Sequence, residues 1–595
     1  MVTLAIAALE ALFADICIVG AGPAAIACAL HLIGCGLKII LVETGGTLYD
    51  PQAQEIGRTE TGLRFGTVDC AYNTRQFGGN ANAWLVDTGR SYRGVRLAPL
   101  TPADFEPRPG LADTGWPINF SDLNAFYRQA PRIFGLPSDS FDLEPWSGPD
   151  TPDLPVADGS VDTAMYMFGD GQVFTNDHRA TLEKSEDVRI LTHHTVTSLE
   201  TPSGDTRVRS AVAVDRDGRK RRIVADQFIL AGGGLGSTQL LLSSIADASL
   251  SIGPAAENVG RYFIDHPLLN GGEFFPSDRK LIDRMALYDL RTIGAAPVMG
   301  HLKLSDAALR RESLLNMSMI FLPRRNGWQV SETMNARQVA GFQAAIRLRG
   351  AIRDRRLPAA WDLVAGAVGI DGIARRLFSR VVSPTANLAR GGWSKLPARQ
   401  RARFDRFQIL HVAEQAPHRD NRVMLGSERD ATGLRRLTID WQWHQSDQDK
   451  IMRGQQIFAD ALAGAGLGTF AIHKDGAGPS VVSSTTGHWM GLTRMSRSAR
   501  DGVVDTNCRV HGTDNLYIAS SSVFPTGGYA NPTLTVVAIS LRIADRLRRL
   551  YRRDLTEDAG KAIEATTDGQ RADPQTSYSP KSHLDAGLPR PFSDD

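Results

Sequence analysis

The first residues along the chain whose type and spacing indicate a chemical role are two glycines. Gly20-Ala-Gly22-Pro-Ala-Ala25 follows an apolar run, and Glu43 ends the next apolar run. Gly20 permits a tight turn, Gly22 lets the backbone approach a pyrophosphate, and Ala25 replaces a third glycine that governs helix packing. Phosphates favour the N–H groups of a helix start, and Glu43 can accept hydrogen bonds from ribose hydroxyls. The spacing predicts a dinucleotide site, with FAD and NAD both open.

A β-α-β unit is needed to bring these residues together. Residues 15–20 predict a short buried strand, residues 23–34 a helix, and residues 38–43 a second strand that ends in the acid. A hairpin series is predicted over 188–231, with a turn at Asp217-Gly218. These elements indicate an α/β nucleotide-binding domain.

The rest of the chain has a different pattern. The irregular region from about 270 to 470 contains short apolar runs and an arginine-rich, helical stretch, which favours a separate substrate domain. Apolar residues recur on helical faces over 534–552. Residues 556–595 are polar and almost free of aromatic side chains, so they cannot bury enough apolar surface to offset the entropy of ordering. We therefore predict a disordered tail.

Composition excludes several classes of protein. A chain of 595 residues predicts two domains, and a net charge of +2 gives no general field that would attract nucleic acid. The cysteines lack the spacing of metal ligands, which predicts reduced thiols in a cytoplasmic protein and no metal site. Glycines and a proline divide the apolar region over 16–33, and no basic residue precedes the apolar residues 4–14. We expect neither a transmembrane segment nor a signal peptide.

Further sequence blocks separate FAD from NAD. The first part of the chain contains Phe77-Gly-Gly-Asn-Ala-Asn-Ala-Trp84, Asp104-Phe-Glu106, Gly115-Trp-Pro117, Ala231-Gly-Gly-Gly-Leu-Gly-Ser237, Asn258-Val-Gly-Arg261, Asp265-His-Pro267, Gln415-Ala-Pro417 and Asn421-Arg-Val423. The last part contains Gly487-His-Trp-Met-Gly491, Val503-Val-Asp505, Arg509-Val-His-Gly512, Asn515-Leu-Tyr517, Phe524-Pro-Thr526 and Ala530-Asn-Pro-Thr-Leu-Thr535. In these blocks and in their order, the chain resembles the glucose–methanol–choline (GMC) oxidoreductases.

The resemblance implies an α/β fold with two domains. It implies a Rossmann-like FAD-binding domain that is discontinuous in sequence, and an α+β substrate-binding domain built from a sheet and helices. The expected boundaries are 12–269 for the first FAD-binding part (with a flavin loop at 77–90 and a linker at 91–164), 270–477 for the substrate domain (with a helical insertion at 337–390), and 478–553 for the second FAD-binding part.

The resemblance also implies the site residues. His488 is expected to be the base that takes the hydroxyl proton of an alcohol while FAD receives the hydride, and Asn531 to hydrogen-bond the same oxygen. The expected cofactor-binding residues are Gly20, Gly22, Ala25, Glu43, Gly78, Gly79, Asn80, Asn82, Ala83, Trp84, Ala231, Gly232, Ser521, Pro532 and Thr533.

The C-terminal blocks resemble the pyranose 2-oxidase-like branch and related bacterial sugar dehydrogenases and glycoside oxidases. This implies a sugar or glycoside substrate, with oxygen, a quinone or an electron-transfer protein as acceptor. Ala83 stands where that branch often has a flavin-linking histidine, so we expect non-covalent FAD. Leu85 replaces a threonine, which favours an acceptor other than oxygen, and Ser520 stands where many members have Asp.

Other interpretations remain open at this point. A lyase of the same fold, an oxidoreductase of a non-sugar alcohol and a non-catalytic flavoprotein are all compatible with the blocks. His266 and His511 are interpreted as packing or hydrogen-bonding residues, and the basic segment 347–356 as a solvated helix face. Intact His488 and Asn531 favour the oxidoreductase.

Overall fold

The computed structural model describes most of the chain. The described residues are 10–60, 74–137, 140–156, 158–325, 341, 344–345, 348, 357–358, 360–370 and 386–569, with side chains described only as far as 552. The helical insertion predicted over 337–390 falls largely outside them, as does the tail from 570 onward. Within the described part of the chain, no helix combines the length and apolar character needed to cross a lipid bilayer.

Helices and strands alternate in the first half of the chain, and strands dominate the middle. The α-helices are α1 (Pro23–Leu32), α2 (Pro51–Glu55), α3 (Ser121–Ile133), α4 (Arg179–Lys184), α5 (Gly233–Ala246), α6 (Lys280–Arg284), α7 (Asp306–Glu312), α8 (Ala360–Val368), α9 (Ala398–Arg401), α10 (Gln445–Gly464) and α11 (Thr533–Gly569). The strands are β1 (Glu10–Val19), β2 (Ile39–Val42), β3 (Gly94–Leu97), β4 (Val161–Asp170), β5 (Val188–Leu191), β6 (His194–Glu200), β7 (Ser210–Asp215), β8 (Lys220–Leu230), β9 (Leu268–Pro276), β10 (Arg291–Ile293), β11 (Ala296–Leu304), β12 (Met317–Arg325), β13 (Phe404–Ala413), β14 (Arg422–Arg429), β15 (Arg435–Asp440), β16 (Gly468–Ile472), β17 (Lys474–Asp475), β18 (Gly478–Pro479), β19 (Val481–Ser483) and β20 (Leu516–Ile518). Single turns of 3-10 helix include Gly79–Asn82 and Ser521–Val523.

A largely parallel sheet carries the predicted nucleotide fingerprint. Its strand order is β5-β2-β1-β8-β7-β6, and β20 also pairs with β8. Val19 at the end of β1 lies opposite Val42 of β2 and Leu230 of β8, all in parallel register. The carboxyl ends of three strands therefore meet at one edge, where open α/β sheets bind ligands. Because β20 comes from the C-terminal part of the chain, this sheet is discontinuous in sequence, in agreement with the prediction.

An antiparallel sheet forms the second layer of the structure. Its order is β16-β9-β13-β12-β11-β4-β3, with β10 and β19 on its margins. β3 and β4 come from the segment that we assigned to the first FAD-binding part and its linker. They extend the antiparallel sheet because β4 pairs along its length with β11, from Val161 opposite Leu304 to Met167 opposite Val298. The predicted boundary at 269 therefore differs from the division between the two sheets.

The ends of two predicted elements also differ from the structure. β1 begins at Glu10, before the predicted start at 15, because β8 is long enough to pair with residues 10–14. α11 continues to Gly569, past the predicted end at 552, so residues 556–569 of the tail that we predicted to be disordered over 556–595 are helical. Both sheets belong to one compact unit that ends at Ala544, and the residues from Asp545 onward form a second unit.

A buried ion cluster joins three distant parts of the first unit. The Arg108 guanidinium donates to both carboxylate oxygens of Glu414, at 2.5 and 3.0 Å, and lies 3.6 Å from Asp104. All three side chains are at most 2% exposed. Burial and the Glu414 carboxylate raise the pKa of Asp104 to about 6. Glu414 also accepts from the backbone N–H of Gly528, which fixes the segment before α11.

Removal of the Arg108 charge should be strongly destabilising. Arg108→Met leaves two buried carboxylates that face each other without a cation, so we expect a loss of about 3–5 kcal/mol in the free energy of unfolding. Arg310→Met is the matched control, because the Arg310–Glu106 pair is 48% and 44% exposed and exposed pairs contribute less than about 1 kcal/mol. Urea denaturation of the FAD-loaded protein measures both changes. Equal losses in the two variants would contradict the prediction.

Candidate active site

A cavity of about 460 Å³ lies at the edge where β1, β2 and β8 end. Its wall is built by the fingerprint after β1, the loop around the 3-10 turn Gly79–Asn82, the start of α5 and two C-terminal segments around His488 and Asn531. Parts of the chain that are separated by hundreds of residues therefore share one cavity. A volume in this range is typical of cofactor and substrate sites.

Close backbone packing explains the glycines of the fingerprint. Gly20 has a φ of +107°, and a Cβ atom there would lie 2.6 Å from the carbonyl oxygen of Ala231. Gly79 has a φ of +50°, and its Cβ would lie 2.9 Å from the Cα of Gly22. The N–H of Gly78 donates to the carbonyl of Ala21 at 2.8 Å. The 77–90 loop is thus held directly against the fingerprint, as only residues without side chains allow.

Glu43 closes the fingerprint turn from the neighbouring strand. Its two carboxylate oxygens accept from the backbone N–H of Ala21 at 2.9 Å and of Gly45 at 2.8 Å. Burial raises the pKa of Glu43, although the Gly45 hydrogen bond and the Arg75 charge oppose this shift. Each carboxylate oxygen has more than one lone pair, so the acceptor capacity that a ribose needs is still present.

The starts of three helices lie on the cavity wall, which suits an anionic dinucleotide. Pro23 of α1, Gly233 of α5 and Thr533 of α11 line the cavity, and no acidic residue occupies the first turn of any of these helices. Helix starts present unpaired N–H groups and a positive dipole end. Together with the glycine cradle and Glu43, they fit the pyrophosphate and ribose of FAD.

His488 has different partners on its two ring nitrogens. Its Nε2 is 3.1 Å from the amide Nδ2 of Asn531. Its Nδ1 is 2.9 Å from the hydroxyl of Thr486 and 3.0 Å from Nδ1 of His266. Both His488 and Asn531 line the cavity. The predicted pair therefore meets across 43 residues of sequence.

Asp265 fixes the loop that carries His488. This carboxylate is 1% exposed and accepts from the backbone N–H of His488 at 3.0 Å and of Gly487 at 3.2 Å. It also accepts from the N–H of Thr486 and of His266, at 3.3 and 2.6 Å. Hydrogen bonds to a buried carboxylate are strong and directional. The backbone on both sides of the His488–His266 contact is thus held by one group.

The imidazole of His488 is kept neutral by its surroundings. Burial, assisted by the positive charge of Arg96, lowers the pKa of His488 to about 3. Arg96 is 8% exposed, lines the cavity and lies with its guanidinium carbon 5.1 Å from the Tyr166 ring centre. A neutral imidazole can accept a proton, and a nearby cation favours negative charge on a bound oxygen.

The remaining predicted site residues fall into two groups. The residues on the cavity wall are Gly20, Gly22, Glu43, Gly79, Asn80, Ala83, Trp84, Ala231, Gly232, Ser521, Pro532 and Thr533. Three others support the wall from behind. Ala25 is fully buried in α1, Gly78 pairs with Ala21, and the Asn82 amide donates to the carbonyls of Phe77 and Gly79 at 2.9 and 3.0 Å.

Sequence reasoning missed Arg96, Thr486 and the contribution of Asp265 and His266. We interpreted His266 as a residue for packing or backbone hydrogen bonding, yet its ring contacts that of His488. The Asp-His-Pro block was visible, but its contact with a loop 222 residues away was not. Arg96 follows an exposed loop and has no motif of its own. His511 contacts Ser496 by its Nε2, which agrees with the structural interpretation.

Comparisons with known proteins give a consistent family. Residues 417–540 match the family model described as GMC oxidoreductase. The chain is 29% identical over 149 residues to paromamine 6'-oxidase from Streptomyces fradiae. The matched segment covers 25% of this chain and 27% of that protein. It is 24% identical over 381 residues to the fructose dehydrogenase large subunit from Gluconobacter japonicus, covering 63% and 57% of the two chains. The match thus spans about a quarter of the first relative and over half of the second.

The fold has a counterpart among solved structures. The crystal structure of formate oxidase superimposes with a TM-score of 0.50 at 15% sequence identity, covering 92% of this chain and all of the other. At this identity the similarity concerns the fold. It supports the α/β architecture with a parallel sheet and an antiparallel sheet.

We expect FAD to be held without a covalent bond. Ala83 lies on the cavity wall and has no nucleophilic side chain. Among the described wall residues there is no Cys or Tyr, and His194 has both ring nitrogens engaged, with Thr192 and Arg221. Acid precipitation of the protein should therefore release the yellow cofactor into the supernatant. Free FAD treated with the same acid is the control, and it stays in solution. Flavin that stays with the precipitated chain would disprove this prediction.

Proposed function

We propose that this chain, whose residues 417–540 match the GMC oxidoreductase model, is a GMC oxidoreductase that uses FAD to oxidise a hydroxyl group of a sugar or glycoside to a carbonyl. The carrying observation is the contact between Nε2 of His488 and the Asn531 amide, at 3.1 Å, in the cavity that the FAD fingerprint also lines. The substrate class rests on the C-terminal sequence blocks and on relatives named for paromamine and fructose.

The residues of the chain handle the proton of this reaction. The alcohol proton passes to Nε2 of His488, the ring nitrogen that lies beside Asn531. The Asn531 amide donates to the same alcohol oxygen as its negative charge develops, and the nearby Arg96 guanidinium favours that charge. Bound FAD supplies the hydride acceptor, its isoalloxazine ring. Pro532 restricts the backbone of Asn531 and so helps to present its amide.

The proposal is tested by anaerobic mixing of the FAD-loaded protein with sugars, glycosides, simple alcohols and a cyanohydrin. Bleaching of the flavin by a sugar or glycoside, with a new carbonyl seen by NMR, is the expected result. Bleaching only by simple alcohols would assign a non-sugar substrate. Cyanohydrin cleavage without bleaching would assign a lyase.

Loss of the base should slow flavin reduction without loss of FAD. His488→Ala removes the proton acceptor, so we expect a rate about 10²–10⁴-fold lower in anaerobic stopped-flow. Asn531→Ala should slow the same step through the loss of a directed hydrogen bond. The control is His178→Ala, since His178 contacts the carbonyl of Ile133 and is not on the cavity wall. A near-normal rate in His488→Ala would remove His488 from the chemistry.

The rate of flavin reduction should depend little on pH above about pH 5. The acidic limb of such a rate reports protonation of the base, and His488 has its pKa lowered to about 3 by burial and Arg96. The neutral, proton-accepting form is therefore present from about pH 5 to about pH 8. Over this range we expect the rate of flavin reduction to change by no more than about twofold. Stopped-flow reduction with a saturating, non-titrating sugar measures it. A fall in rate with a kinetic pKa near the ordinary histidine value of about 6.5 would contradict this assignment.

A further inference from the structure

We infer that His266 is a positioning residue that holds His488 in the tautomer whose Nε2 carries the lone pair that accepts the proton. The inference rests on the proposed function, in which Nε2 of His488 is the accepting atom. A neutral imidazole has one N–H, on either nitrogen. Only the form with the hydrogen on Nδ1 leaves a lone pair on Nε2, beside Asn531 in the cavity.

The hydroxyl of Thr486 gives the first argument for this tautomer. Thr486 Oγ lies 3.2 Å from Oδ1 of Asp265 and 3.0 Å from the carbonyl oxygen of His266. Both of these oxygens can only accept, whereas Nδ1 of His488 can also donate, so the arrangement that satisfies most contacts directs the single hydroxyl hydrogen of Thr486 to one of the two oxygens. Toward Nδ1 of His488, at 2.9 Å, the Thr486 oxygen is therefore an acceptor. Nδ1 of His488 must then donate.

The second argument comes from His266. Its Nδ1 is 3.0 Å from Nδ1 of His488, a distance at which one hydrogen is shared and two would collide. His266 is fully buried, and burial together with His488 lowers its pKa to about 4, against the opposing charges of Asp265 and Glu414. A donating Nδ1 of His488 therefore requires neutral His266 to carry its hydrogen on Nε2, the nitrogen beside Gly527, and to present a lone pair at Nδ1. Its ring then accepts from His488, in agreement with Thr486.

The backbone geometry makes this pairing rigid. The N–H groups of His266 and His488 both donate to Asp265, at 2.6 and 3.0 Å, so the two rings share one anchor. The ring planes are inclined by 78° with centroids 5.1 Å apart, so the two rings do not stack and their Nδ1 atoms approach each other at the ring edges. When Nε2 takes the substrate proton, the Nδ1–H keeps the same two acceptors. The Nδ1 side of His488 therefore needs no rearrangement, whereas at Nε2 the Asn531 amide, 3.1 Å away, must turn away from the nitrogen when the proton arrives.

The test compares His266→Leu, which removes the acceptor, with His266→Asn, whose amide oxygen can replace Nδ1. We expect His266→Leu to keep FAD and to slow flavin reduction by about 10–100-fold, by analogy with the loss of partners that orient metal-ligating histidines. His266→Asn should restore most of that rate. A merely structural role predicts that both variants behave alike.

A readout that needs no turnover separates this inference from the proposed function. In FAD-loaded protein labelled with ¹⁵N-histidine, NMR should show His488 with its hydrogen on Nδ1, the signal being assigned by its loss in His488→Asn. In His266→Leu and Thr486→Val combined, the hydrogen should move in part to Nε2. The control is His411→Leu, which removes another fully buried imidazole, one that contacts Ser318 away from the cavity.

The outcomes are distinct. A wild-type His488 with its hydrogen on Nε2, or a normal reduction rate in folded His266→Leu, overturns the inference. A wild-type protein that shows the Nδ1–H form but is reduced by no alcohol overturns the proposed function and leaves the tautomer assignment supported. A drop in rate in His411→Leu equal to that in His266→Leu would reduce the effect to general destabilisation and would also overturn the inference.

Discussion

The geometry of the site depends on a single buried carboxylate, that of Asp265. A buried carboxylate is costly unless hydrogen bonds replace its water, and Asp265 obtains them from backbone N–H groups at 266, 486, 487 and 488. These donors belong to two segments that are far apart in sequence. Because the carboxylate is satisfied only when both segments are in place, its desolvation cost enforces their meeting. The position of His488, and through it the base end of the cavity, follows from this constraint.

The cofactor end of the cavity is held by a different type of force, the close packing of backbone on backbone. Gly20 against Ala231 and Gly79 against Gly22 leave no room for side chains, and Glu43 binds the turn through two N–H groups. The buried Arg108–Glu414 pair holds the segment just before Asn531, because Glu414 accepts both from Arg108 and from the N–H of Gly528. These contacts hold the fingerprint turn, the His488 loop and the segment before Asn531 in place. Such preorganisation is what makes a directed amide or imidazole effective.

Sequence alone predicted the parts of this site that depend on local order. The strand–turn–helix spacing of Gly20 and Gly22, with Glu43 after the next strand, follows from chain geometry, and the structure has it. The partnership of His488 and Asn531 came from a family resemblance, and the two side chains lie in contact. Contacts between single side chains that are far apart in the sequence, such as that of His266 with His488, could not be predicted. The place of β3 and β4 in the antiparallel sheet was missed for the same reason, since strand pairing over more than 100 residues leaves no local pattern.

The choice of a neutral partner for His488 has a physical consequence. A carboxylate acceptor at Nδ1 would stabilise the imidazolium and raise the pKa of the base, whereas His266 and Thr486 are uncharged and Arg96 opposes protonation. His488 is therefore a weaker base than a carboxylate-paired histidine, but it is never lost to protonation in the physiological range. A weak base suffices when the proton leaves an alcohol whose developing charge is stabilised by Asn531 and Arg96 as the hydride departs. His488 is thus a weak base that stays in its proton-accepting form. Asp265 does not contact the His488 ring directly; it holds the backbone N–H of His488 and the Thr486 hydroxyl, and the hydroxyl contacts the ring.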